Sequence, residues 1–348
     1  MHKNKADKAA YDKQRYDRLK EMEDEQPGVL AFARERGIDP NTVTGGWAKG
    51  KQFSLRFKDG SDKEATFESL TELIAEKLHD HVPQYNAPDY KKPTDPHLFV
   101  YDPADIHINK LASTYETGQD YNSQIAVTRC RQGLRGLLNK AHGFQFDQIL
   151  FPIGNDALNA DGPSNATTKG TRQDTHVLWT EAFLMAVGIY IEQIESLAMI
   201  APVVVKFNPS NHDVMAGWYM AQVIQTHFRL DKRIKFDCST AHRKYHKYGN
   251  NLIGTTHGDG AKPEKLPALM AYEAKQDWGL CEHFYFYTHH VHHKYARDIG
   301  NVLVESLRSP SAPDGWHSRN GFVGSPQAIE CFLHHPKFGR IGGFTEIF

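Results

Sequence analysis

The chain has 348 residues, 40% of them hydrophobic and 24% charged, enough for one large core with a small appended domain. Lys and Arg number 41 against 42 Asp and Glu, so no global cationic field draws in nucleic acid, and any such contact must come from a local patch. Four cysteines (Cys130, Cys238, Cys281, Cys331) lie far apart with no C-x-x-C pair, so neither a disulfide framework nor a thiolate zinc site is suggested, and a reducing, cytoplasmic setting fits best.

Residues 1–26 alternate acidic and basic side chains with a few tyrosines, the pattern of a charged helix or arm, and lack the apolar run of a signal peptide. Residues 27–82 read as a short helix, a turn at Asp39-Pro40, a second short helical pattern, the strand "QFSLRF", the hairpin signal "KDGS" and a helix from Phe67 to about His79. That order resembles a small winged-helix domain, with Lys49, Lys51, Arg56 and Lys58 on its basic side, and such a module would bind DNA. The proline-rich, aperiodic stretch over 83–96 marks a linker.

From residue 97 to 348, β-type runs alternate with helical patterns: "HLFVY", a helix over about 121–140, "DQILFPI", a helix over 173–199, "PVVVKF", a helix over 213–228, "NLIG", a helix over 267–276, then "HFYFYT", "NVLVESL" and "GGFTEIF". Such alternation predicts α/β layering. The most apolar stretch, "FLMAVGIYIEQIESLAMIAPVVV", is broken by Glu192, Glu195 and Pro202, so it reads as a buried helix and then a strand. No membrane partner is expected, and assembly into a homo-oligomer is left open.

The residues at the C-terminal end of each strand carry the chemistry. "HLFVY" leads to "DPADIH", "DQILFPI" to "GND", "PVVVKF" to "NPSNHD", "NLIG" to "TTHGD", and "HFYFYT" to "HHVHH". Five successive β-runs thus deliver Asp, Asn or His at the edge where open α/β sheets bind ligands. In an extended segment, residues two apart share a face, so Asp105 and His107 point one way, as do His290 and His292. Oxygen and imidazole donors without thiolate suit manganese, iron, zinc or a similar divalent ion. A carboxylate such as Asp156 can bridge two ions.

The order D-x-H, G-N-D, N-H-D, a lone H and H-x-H resembles the calcineurin-like metallophosphoesterases, a superfamily that includes DNA-repair nucleases, protein phosphatases and cyclic-nucleotide phosphodiesterases. The resemblance covers residues 97–300 and implies an α/β sandwich of two mixed sheets flanked by helices. It implies two divalent ions, manganese foremost with iron, zinc or magnesium as substitutes. Asp105, His107 and His292 would hold one; Asn211, His257 and His290 would hold the other; Asp156 would bridge them. His212 would face the substrate and assist the leaving group, with Asp213 as its acidic neighbour. The implied reaction is phosphoester hydrolysis by hydroxide formed on the metal pair, with phosphodiester bonds of nucleic acid as the favoured substrate. A phosphatase or small-nucleotide phosphodiesterase is the alternative enzyme; a DNA-binding or scaffold protein with an inactive metal centre is the alternative of another class.

Three positions depart from the family pattern: Asn155 separates Gly154 from Asp156, and Ser210 and His289 stand where glycines are usual. Asn155, Asn159, Lys169 and Arg172, in or beside the loop after the bridging motif, and Arg319 near the C-terminus are candidate substrate contacts, and Trp316 and His317 could wall the site. "HRKYHKY", residues 242–248, mixes cations with tyrosines as a nucleic-acid track would, although a solvated basic segment is the preferred reading. His334 and His335 read as surface residues.

Overall fold

The computed structural model describes residues 88–348 continuously, together with positions 13, 17, 48, 49, 54 and 55. The chain divides into two compact units, Met1–Pro83 and Gln84–Phe348. In the first, Ala48–Lys49 pairs antiparallel with Ser54–Leu55, so a strand does run within "QFSLRF". The remainder of the charged arm and of the winged-helix reading lies outside the described residues.

The second unit runs β1 (Pro96–Asp102), α1 (Thr114–Thr117), α2 (Ser123–Lys140), β2 (Gln145–Gly154), α3 (Trp179–Ala198), β3 (Val203–Asn208), α4 (Val214–His227), β4 (Ile234–Asp237), β5 (Arg243–Tyr248) and β6 (Asn251–Thr256). It continues through α5 (Leu266–Glu273), α6 (Lys275–Trp278), β7 (His283–Thr288), β8 (Tyr295–Ile299), β9 (Val302–Ser306), α7 (Gly315–Arg319), β10 (Ala328–His335) and β11 (Gly339–Ile347). One sheet has six strands in the order β11-β10-β1-β2-β3-β4, the other five in the order β8-β9-β7-β6-β5. Strands β1 to β4 are parallel, as are β6, β7 and β9, while β5, β8, β10 and β11 pair antiparallel, so both sheets are mixed.

The run "HLFVY" shows how the layers form. Leu98 and Val100 point between the sheets, where they meet Leu150, Tyr248, Ile253 and Tyr287. Phe99 and Tyr101 point the other way, into the layer beneath α2, α3 and α4. A strand covered on both faces must be apolar at every position, which is why these runs do not alternate with polar residues. Helices α5 and α6 cover the outer face of the second sheet. Each fully buried side chain of this kind contributes about 1.5–3 kcal/mol.

The helix expected over 173–199 starts only at Trp179, because the preceding backbone is already claimed: His176 and Val177 donate to Asn109 Oδ1 at 3.1 and 2.8 Å. Strands β4, β5, β8 and β10 are additions to the sequence pattern. In β10, beside β1, His334 is fully buried, with Nε2 2.9 Å from the Tyr287 hydroxyl, which corrects its reading as a surface residue. "HRKYHKY" forms the edge strand β5, where Arg243 pairs with Glu273 at 2.5 Å and Lys244 with Asp237 at 3.3 Å. Two of its three Lys and Arg charges are thus paired within the fold, while Lys247 is exposed. Among the described residues, no helix is long and apolar enough to cross a membrane.

Candidate metal centre

The loops that leave β1 and β2 run side by side: Asp105 N donates to Asn155 O at 2.8 Å, His107 N to Asp156 O at 2.9 Å and Ile108 N to Ala157 O at 2.8 Å. Asn155 N in turn donates to Asn208 O at the end of β3. The buried Asn208 amide exchanges hydrogen bonds with Thr255 of β6, tying the two sheets together just ahead of Asn211. His257 O accepts from His289 N at 2.8 Å, joining the ends of β6 and β7. Tyr121 and Ser309 hydroxyls hold the carbonyls of Ile106 and Asp105 at 2.6 and 2.7 Å.

These loops are not extended, contrary to the geometry inferred from spacing. Asp105, His107, Asp156, His290 and His292 have φ of 53°, 48°, 57°, 72° and 56°, five of the eight positive-φ non-glycine residues among those described. Ile106 and Val291, β-branched and between ligand candidates, do not share that conformation. Alternating left-handed residues therefore aim each pair. Around His290 the chain closes a γ-turn, Val291 N to His289 O at 2.9 Å. Such conformations cost on the order of 1–3 kcal/mol each and persist only where the surroundings over-determine them.

The side chains converge in two adjoining groups, Asp105 with His107 and His292, and Asp156 with His257 and His290, with the donor atoms of each group within 4.8 Å of one another. Asn211 Oδ1 lies 2.9 Å from His257 Nε2, which is 3.1 Å from Asp156 Oδ2. His107 Nε2 and His292 Nε2 approach to 3.1 Å. Asp156, rather than Asn155, enters the cluster; Asn155 is buried with neither side-chain polar atom partnered and does not line the cavity.

The electrostatics suit a cation. Burial opposes charge on Asp105 and Asp156, yet the surrounding imidazoles outweigh it and hold both carboxyls below their usual range. Burial also opposes charge on His257, but Asp156 and Asp105 push its pKa up to about 9. His107 goes the other way, well below its ordinary value, through burial and the neighbouring His212. A proton on His257 thus supplies positive charge that the carboxylates demand, while His107 keeps a free lone pair. Buried Nδ1 atoms of His107 and His257 have no hydrogen-bond partner. Two carboxylates, four imidazoles and one amide oxygen fit divalent ions of borderline or hard character.

His212 is set apart by its tautomer. Its Nδ1 lies 3.1 Å from the Asn159 carbonyl, which can only accept, so Nδ1 carries hydrogen and Nε2 is left for the cavity. Its backbone N–H donates to Asp156 Oδ1 at 2.9 Å, and its ring also falls within a group with His107 and Asp156. Asp213 sits behind the cavity: Oδ1 accepts from Ser210 Oγ at 2.6 Å and Oδ2 from Leu158 N at 2.9 Å. Burial and nearby Asp156 push its pKa up to about 7. Through these contacts it is tied to the loop that carries Asp156, and it does not line the cavity.

Two of the departures from the family pattern are buried bridges. Ser210 Oγ accepts from Asp156 N at 2.7 Å while donating to Asp213. His289 Nδ1 donates to the Thr256 carbonyl and Nε2 meets Asp102 Oδ1, both at 3.1 Å, so one further proton is shared between Nε2 and Asp102.

Above the cluster opens a cavity of about 1130 Å³. Lys169 and Arg172 line it, exposed and without an ion pair among the described residues. Lys294 and Arg308 line it too, but both pair with buried Glu330 at 2.9 Å. Asn159 is buried, donating to Asp174 O, and Arg319 is exposed on α7; neither lines the cavity. Trp316 and His317 do.

Two residues that carry no metal-ligand motif shape this wall. Asp314 caps α7 through His317 N at 3.0 Å, contacts His317 Nδ1 at 2.7 Å and faces the buried Lys110 at 3.3 Å. "PDGW" carries a helix-start signal for Asp314. Lys110, inside "HINKLA", carries none. Within the polar loop after β2, Asp161 Oδ1 caps α4 by accepting from Met215 and Ala216 N, which fastens that loop to the site.

No protein-family model and no curated protein sequence matches the chain. Among solved structures, it is similar to an archaeal phosphodiesterase at 8% identity, covering 72% of this chain and 99% of that one with a TM-score of 0.35. It is likewise similar to a hypothetical protein of Pyrococcus horikoshii, at 13% identity over 71% and 87% of the two chains (TM-score 0.33), and to vacuolar protein sorting 29 of Cryptosporidium parvum, at 11% over 72% and 98% (TM-score 0.31). Likeness of this degree leaves the chemistry to be argued from the site itself.

Proposed function

We propose that the protein is a divalent-metal-dependent phosphoester hydrolase of the calcineurin-like metallophosphoesterase type, acting in the cytoplasm on phosphodiester bonds of nucleic acid. The observation that carries the reading is the pair of adjoining donor groups, Asp105 with His107 and His292 and Asp156 with His257 and His290, the second with Asn211 beside it, gathered from the ends of five strands. Asp105, His107 and His292 would hold one ion, and Asn211, His257 and His290 the other, with Asp156 between them. When bound, two such ions supply Lewis-acid charge to the phosphoryl oxygens and acidify the attacking water.

The chain's own residues account for the rest. His212, protonated at Nε2, gives that proton to the leaving oxygen as the P–O bond breaks, while the Asn159 carbonyl keeps its ring oriented. Lys169 and Arg172 counter the charge of a phosphate backbone at the cavity mouth. Four free cysteines, three of them buried, support the cytoplasmic setting.

Metal analysis and hydrolysis assays test this. The protein, dialysed against manganese, should retain about two equivalents and cleave single- or double-stranded DNA. Retention of less than one equivalent overturns the hydrolase reading. Activity confined to p-nitrophenyl phosphate or a cyclic dinucleotide rejects the nucleic-acid substrate and leaves a phosphatase or small-nucleotide phosphodiesterase.

A further inference from the structure

The segment 313–327 walls the cavity but supplies no ligand candidate, yet it presents two large rings to solvent. Trp316 and Phe322 are 62% and 61% exposed, and their rings lie nearly parallel, 5.5 Å apart at 23°. They are not a loose surface pair. Asp314 anchors the helix that carries Trp316, and Phe322 N donates to His317 O at 2.9 Å.

A line of rings joins this pair to the ligand cluster. His107 lies 5.0 Å from His292, His292 stacks 5.3 Å from His317 at 19°, and His317 lies 5.2 Å from Trp316. The aromatic surface therefore begins two rings away from the place where a phosphate would sit. Leaving two apolar faces in water beside a polar site is unfavourable in proportion to their area. A flat ligand ring would remove that area from water, and the same cavity holds Lys169 and Arg172 with no ion pair among the described residues. Flat ring and anion together describe a nucleotide.

We propose that Trp316 and Phe322 form a shelf for a nucleobase, so that the cavity takes a nucleotide whose unpaired base stacks on Trp316 while its phosphate faces the ligand cluster, Lys169 and Arg172. A base inside a duplex has both faces covered, so the ligand is single-stranded or a free nucleotide. The phosphate end of this inference rests on the hydrolase reading; the base end stands on the shelf alone.

Calorimetric titration of the full chain, in manganese buffer, with thymidine monophosphate and with deoxyribose phosphate separates the two. The base should tighten binding about tenfold, Trp316→Ala should erase that gain, and Trp316→Phe should keep it. Equal affinity of the wild type for the two phosphates, or an unchanged difference in Trp316→Ala, overturns the shelf. Base-dependent binding without turnover of any phosphoester keeps the shelf and removes the hydrolase. Turnover of p-nitrophenyl phosphate with no base preference does the reverse.

Discussion

The backbone N–H of His290 donates to the carboxylate of Asp105 at 3.0 Å, joining loops 185 residues apart. The first and last ligand loops are thereby built into each other, and both carry residues in left-handed conformations. A bound cation would offset that strain and the repulsion between buried carboxylates. Chelation should therefore lower the melting temperature, and manganese at a hundred times its Kd should restore about 2.7 kcal/mol per site. A calorimetric transition indifferent to chelator and manganese would show that the cluster holds no ion.

His212→Ala should keep manganese bound while kcat falls by about 10²–10⁴, since only the Nε2 proton is removed. Metal analysis beside steady-state kinetics reads both. Loss of an equivalent of metal would make His212 a ligand, as its position within 4.8 Å of His107 and Asp156 donors also permits.

Ser210→Ala takes away the acceptor for Asp156 N and the donor to Asp213. Manganese affinity should weaken by roughly 10–100-fold, the usual effect of losing a group that orients a ligand. Titration calorimetry would register it. Unchanged affinity would mean that the Asp156 loop is held by its backbone contacts alone.

Lys110→Met should destabilise the fold by about 3–5 kcal/mol, because it strips a fully buried cation from Asp314. Burial opposes the Asp314 charge, and His317 and Lys110 hold it in place. The double variant Lys110→Met, Asp314→Asn should recover part of the loss in urea unfolding. Additive losses would rule out coupling between the two residues.

Burial first, then Arg340 and two further histidines, depresses the pKa of His334 well below its ordinary 6.5. The native state then binds fewer protons than the unfolded chain as pH falls below about 6.5, so the stability that neutral His334 contributes is present above that pH and lost beneath it. The slope should reach about 1.4 kcal/mol per pH unit. Urea midpoints from pH 7 to 4.5 should show a weaker dependence in His334→Leu; an identical slope would place the proton elsewhere.

The strands that frame the cluster were legible because burial on both faces writes itself into consecutive residues: "HLFVY", "DQILFPI", "PVVVKF" and "HFYFYT" are apolar whatever they pack against. Their polar sequels were legible for the same reason, since a parallel strand must end before a charged ligand begins. Strand β10 was not, because Glu330 and His334 interrupt its pattern, and their burial depends on Lys294, Arg308 and Tyr287, which lie far off in the chain. The expectation that Asp105 and His107 share a face through extended backbone met the same limit.

By itself the sequence determined which side chains stand at the strand ends and in what order, because those are local facts of composition. Only the tertiary structure decided how they are aimed, that Lys110 is buried against Asp314, and that Trp316 lies near the cluster. Left-handed backbone, a buried charge and a line of stacked rings are each stabilised by contacts across the fold, and no short stretch of chain encodes them.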